Sequence, residues 1–132
     1  MKVKEGDKFP NFELTDHLGD QFTLYNQHDI KYRVLYFYPK DETPGCTRQA
    51  CYFRDYSHVY KKYGCEIIGI SSDNKKSHEK FIQKYDLPFR LLTDHKSKLR
   101  KEAFFMFSFS FNCGRLSWII RSFKRKKTSQ II

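Results

Sequence analysis

YPKDETPGCTRQACYFR, residues 38–54, decides how the rest of the chain reads. Before it, RVLYFY (Arg33–Tyr38) is a near-continuous apolar run, as in a strand buried on both faces. Pro39 ends that strand, because it has no amide to donate to a ladder. Thr43 then suits a helix N-cap and Pro44 the first helical position. Ala50, Phe53 and Tyr60 recur at helical spacing with Tyr56 flanking the stripe, and Gly64 is a fitting stop. The stretch is therefore a strand, a loop and a helix start, with Cys46 about three residues into the helix.

The pattern repeats outward. CEIIGIS (Cys65–Ser71) predicts a second buried strand, and Asn74–Tyr85 a helix with Phe81, Ile82 and Tyr85 on one face. Pro88 breaks that helix, and Phe89–Thr93 predicts a third strand. Asp94 can cap a short basic helix running through Glu102. Upstream, Phe12 and Leu14, then Phe22 and Leu24, alternate around a turn at Asp16–Asp20. Strands alternating with helices predict an α/β fold with helices on both faces of a sheet. Such folds place their chemistry beyond the carboxyl ends of the strands.

The 132 residues suffice for one domain with a real core. No apolar run is long enough to cross a membrane, and MKVKEGDKFP lacks the apolar core of a secretory signal. Four cysteines without such a signal read as thiols in a reducing compartment, and a cytoplasmic location is expected. The net charge of +10 is uneven. Residues 103–132 hold six Lys and Arg, no acid, and six of the 13 phenylalanines. The composition thus divides the chain into a domain over 1–102 and a divergent basic tail over 103–132. The run Lys124-Arg125-Lys126-Lys127 reads as a solvated tail. No nucleic acid or membrane partner is expected, and the chain is expected to be a monomer.

Pro39, Thr43 and Cys46 stand at P-x-x-x-T-x-x-C spacing, with Cys51 five residues on. A thiol attacks peroxide only as thiolate. The first turn of a helix favours an anion through its unpaired amides and the positive end of its dipole. Lys40 and Arg48 are close in sequence, and Asp41 and Glu42 are expected to face water. Thr43 can offer its hydroxyl to the sulfur or to a peroxide oxygen, and Pro39 can shield the thiolate. Attack yields a sulfenic acid, which condenses with a nearby thiol. Cys51 is the candidate, yet five helical residues separate Cα atoms by about 8.6 Å. A disulfide tolerates only about 7 Å, so the bond requires the first turns of the helix to unwind. Zinc is not expected, since C-x4-C has no second pair or histidine at ligand spacing. His17, His28, His58, His78 and His95 are expected at the surface. Cys65 is expected in the core, and Cys113 has no assigned role.

FYPKDETPGCTRQACYFRD resembles the signature of the peroxiredoxins, in the bacterioferritin comigratory protein (peroxiredoxin Q) branch. GDKFPNFEL, IIGISSD and KFIQKYDLPFRLLTD extend the likeness from Gly6 to about Ala103. The resemblance implies a thioredoxin-like fold and a thiol-dependent peroxidase acting on hydrogen peroxide and organic hydroperoxides. It implies Cys46 as peroxidatic cysteine, Thr43 and Pro39 completing its loop, and Cys51 as resolving cysteine. It implies thioredoxin or a similar dithiol protein as reductant, and no metal or organic cofactor.

Beyond Ala103 the chain departs from that pattern. The family's glycine-rich loop, acidic turn, last strand and closing helix are not legible in FMFSFSFNCGRLSWIIRSFKRKKTSQII. The C-terminal strands and closing helix are therefore expected to be missing or aberrant. Arg121, before Ser122 and Phe123, stands about where the family's catalytic arginine belongs, with Arg115 a weaker option. Two other readings compete: a truncated or frame-shifted relic with little activity, and a basic binding module.

Overall fold

The computed structural model describes residues 9–25, 30–103, 117–122 and 129–131. Strands β1 (Glu13–Asp16) and β2 (Gln21–Thr23) form the expected hairpin, with Leu14 opposite Phe22. Its turn is held by Asp16, whose Oδ1 accepts from the amides of Leu18 and Asp20. Then follow β3 (Tyr32–Phe37), α1 (Pro44–Asp55), α2 (Ser57–Lys62), β4 (Cys65–Ser71), α3 (Lys75–Tyr85) and β5 (Arg90–Thr93). A short 3-10 turn leads into α4 (Lys98–Ala103), whose start Asp94 caps: its two carboxylate oxygens accept from the amides of Leu99 and Arg100.

Among the described residues the strands make one sheet in the order β2-β1-β5-β4-β3, continued by β6 (Ser117–Ser122) and β7 (Ser129–Ile131). β3, β4 and β5 run parallel, so α1 with α2 and then α3 cross over between them. Successive crossovers that advance in one direction across a sheet fall on one face when each is right-handed. That face holds Val34, Tyr36, Ile67 and Leu91 against Ala50, Phe53 and Phe81. On the other, Leu35, Phe37, Ile68, Ile70 and Leu92 pack with Phe9, Phe12, Phe22, Leu24, Leu99 and Ala103. Alternate residues of each central strand thus feed two cores. Buried Arg33 is paired, as a buried charge must be: Nε meets Glu66 at 3.0 Å, and Nη1 donates to the Leu24 carbonyl at 2.8 Å.

The expected single helix to Gly64 is two helices. Tyr56, with φ −100 and ψ 7, separates α1 from α2, and its ring is exposed. The break still lets Tyr60 reach the Phe53 ring, with centroids 6.0 Å apart. The C-terminal strands are short but present. β6 lies antiparallel on β3 and β7 antiparallel on β6, so strands from beyond residue 103 share the sheet of the N-terminal part. The expected closing helix is not among the described residues. The run Lys124–Lys127, His28 and Cys113 also lie outside them.

Candidate active site

β3 delivers the chain to the carboxyl end of the sheet, and residues 38–43 turn it into α1. Cys46 lies in the first turn and is 2 % exposed. Cys51 is half-buried one and a half turns on, within the same unbroken helix. Both are thiols, as is half-buried Cys65 at the start of β4. Burial pushes the Cys65 thiol up, so it resists ionisation.

Thr43 is the N-cap residue, but its hydroxyl donates to the Lys40 carbonyl at 3.0 Å, closing the loop on itself. Pro39 is exposed, at the point where the strand ends. Glu42 faces water, as expected, and meets Lys84 of α3 at 3.2 Å. It holds a left-handed φ of 61, an uncommon conformation for a residue with a side chain. At the same end, β3 and β4 border a hollow of about 260 Å³ lined by Tyr38, Pro39, Ser71, Ser72 and Arg100, among others.

Two expectations about polar residues are overturned. Asp41 does not face water: it is 5 % exposed. Its Oδ1 accepts from the Tyr38 hydroxyl at 2.6 Å, and its Oδ2 from the Ser77 hydroxyl at 2.9 Å. His78 is not a surface residue: it is fully buried, with Nδ1 2.8 Å from Asp41 Oδ2 and Nε2 3.2 Å from the Leu92 carbonyl. The Asp41 amide donates to Asp73 Oδ2, which also accepts from the Ser71 hydroxyl. Burial, with the Tyr36 and Asp41 groups beside it, drives the Tyr38 phenol well above its usual range. Among the described residues Asp41, Asp73 and His78 bring ligand-type atoms within 4.8 Å of one another. Those atoms already have hydrogen-bond partners, so the cluster closes on itself.

His78 had a signal in the sequence. It lies three, four and seven residues before Phe81, Ile82 and Tyr85, on the apolar stripe of α3. Asp41 had none, because no periodicity governs a loop. Among the other histidines, His58 and His95 are exposed as expected. His17 is half-buried, and burial lowers its imidazole below the usual value.

The structure does not bring Arg121 to Cys46. Arg121 pairs with Tyr32, the first residue of β3, whereas the Cys46 loop leaves from the last, Phe37. Five strand residues at about 3.3 Å each put it about 17 Å from that end. The physical reason is register: an antiparallel strand that starts opposite Tyr36 carries its later residues away from the site.

Residues 5–123 match the AhpC/TSA family. Over 101 residues the chain is 54 % identical to the chloroplastic peroxiredoxin Q of Triticum aestivum, covering 76 % of this chain and 46 % of that one. The chain thus spans about half the length of the curated relatives it matches. The peroxidoxin BcpB of Mycobacterium tuberculosis superposes with a TM-score of 0.79 at 28 % identity, over 98 % of this chain and 85 % of that one. A bacterioferritin comigratory protein of Xanthomonas campestris, known for alkyl peroxide reduction, has a TM-score of 0.74 at 29 % identity, over 92 % and 77 %. These neighbours bear out the thioredoxin-like α/β architecture. The wheat relative and other plant relatives are chloroplastic, which overturns the expectation of a cytoplasmic protein. That expectation rested on the lack of an apolar leader, which speaks only about secretion.

Proposed function

Because this chain belongs to the AhpC/TSA family, in its peroxiredoxin Q branch, we propose that it is a thiol-dependent peroxidase acting at Cys46. The observation that carries this reading is the placement of Cys46. It is a buried thiol in the first turn of α1, directly beyond the carboxyl end of a central parallel strand. Unpaired amides of that turn favour negative charge there.

The thiolate of Cys46 attacks one peroxide oxygen. The O–O bond breaks, the sulfur becomes a sulfenic acid, and the departing oxygen takes a proton and leaves as water or an alcohol. Cys51 then attacks the sulfenic sulfur, forming the disulfide and releasing water. A dithiol protein of the thioredoxin type reduces that disulfide and is itself oxidised to one. Hydrogen peroxide and organic hydroperoxides are the substrates, in keeping with the alkyl peroxide activity of the Xanthomonas relative. Pro39 and Thr43 hold the loop, Thr43 through its bond to Lys40.

The charge that develops on the peroxide calls for a cation, and we assign it to Arg115 rather than Arg121. Ser117 pairs with Tyr36, near the site end of β3. Arg115 stands two positions before Ser117 in the sequence and itself lies outside the described residues.

Stopped-flow mixing of the reduced chain with substoichiometric hydrogen peroxide tests the proposal. Cys46 oxidation is expected to outrun a denatured control by orders of magnitude and to vanish in Cys46→Ser. Equal rates for the folded and denatured chain would remove the reading.

A further inference from the structure

We propose that Asp41, clamped by His78 and Ser77, is a positioning residue that holds the Cys46 loop in its peroxide-reducing form and must let go for the disulfide to form. This inference rests on the peroxidase reading above and names the tether behind its two steps.

The loop of residues 38–43 is not held by apolar packing alone. Three side-chain groups converge on the Asp41 carboxylate: the Tyr38 hydroxyl, the Ser77 hydroxyl and His78 Nδ1. Tyr38 belongs to the loop's own strand end, but Ser77 and His78 belong to the first turns of α3. His78 is itself fixed to the sheet through the Leu92 carbonyl. The Asp41 amide is held in turn by Asp73, in the turn between β4 and α3, and the Asp73 carbonyl accepts from the Thr93 hydroxyl. The loop is thereby bound to β4, α3 and β5 at one residue.

Immediately after that residue Glu42 takes its left-handed φ, and Thr43 opens the helix. A left-handed non-glycine residue persists only where its surroundings impose it. Its own contact, the Glu42–Lys84 pair, is exposed and weak. The Asp41 clamp is the strongest candidate for what imposes it.

Cys46 and Cys51 cannot bond while α1 is intact, so the helix start must detach between the two chemical steps. The clamp stabilises the first state and opposes the second. Weakening it is therefore expected to move the two steps in opposite directions, whereas general damage to the fold would slow both.

The test follows both steps in the full chain after a pulse of hydrogen peroxide, trapping sulfenate and disulfide for mass spectrometry. Asp41→Asn is expected to slow Cys46 oxidation about 10-fold and to speed Cys46–Cys51 bond formation several-fold. Ser77→Ala removes one donor without burying a new charge and is expected to slow oxidation and speed disulfide formation, each by about two- to fivefold. If Asp41→Asn does not fold, Ser77→Ala alone decides. Both steps slowed together, or neither changed, overturns the tether. Wild-type oxidation no faster than the denatured control overturns the peroxidase reading instead, and the tether with it.

Discussion

Cys46 and Cys65 are both thiols at the ends of adjacent central strands, and they sit at opposite ends of the sheet. Cys46 follows the carboxyl end of β3 and opens a helix; Cys65 begins β4 at the amino end. At the first end, helix amides, the loop of residues 38–43 and the Asp41 clamp converge. At the second, burial is the largest influence on the thiol and disfavours its ionised form, with the Glu66 charge acting the same way and a backbone hydrogen bond at Val34 against it. Parallel strands joined by helices point helix N-termini toward one end of the sheet only. On the peroxidase reading proposed for Cys46, the same side chain is expected to react at one end and to stay inert at the other.

The largest effect that can break this comparison is loss of the nucleophile. Cys46→Ser is expected to cost at least about 10³-fold in peroxide consumption. Cys65→Ser should stay within about twofold, and comparable losses would end the distinction between the two ends. The arginines supply a second test: Arg115→Met is expected to cost about 10²-fold in the oxidation rate, against about twofold or less for Arg121→Met. The reverse order would return the catalytic role to Arg121.

A Cβ on Gly69, in the middle of β4, would lie 2.6 Å from Leu91 Cδ2 and 2.8 Å from the Tyr36 ring. Gly69→Ala is expected to cost about 1–3 kcal/mol by overpacking, read from chemical denaturation. Asp94→Ala removes the cap of α4 at the site end and is expected to cost about 1 kcal/mol in the same experiment.

The smallest effect is a pH dependence. Burial pushes the Tyr25 phenol up to about 12, and it donates to the Phe9 carbonyl. Its folded value lies above the unfolded one near 10. The contribution is therefore whole below about pH 10 and is lost as pH rises toward 12. Tyr25→Phe should flatten the stability profile in that window and leave its slope at neutral pH unchanged. An unaltered slope would mean that another group controls base unfolding.

Local chemistry made most of the fold legible in the sequence. The apolar run before Pro39, the Thr43-Pro44 helix start, the apolar stripe of Asn74–Tyr85 and the breaks near Gly64 and Pro88 each act within a few residues. They were therefore readable without tertiary structure, and they placed Cys46 at a helix start beyond a buried strand. The tertiary structure alone decided the burial of Asp41, whose partner Ser77 lies 36 positions away. It decided the fit of Gly69 against Leu91 and Tyr36. It also decided which end of β3 receives Arg121, because antiparallel register is set between strands. Periodicity and capping report the neighbours a residue has along the chain; burial, register and charge pairing depend on neighbours that only folding supplies.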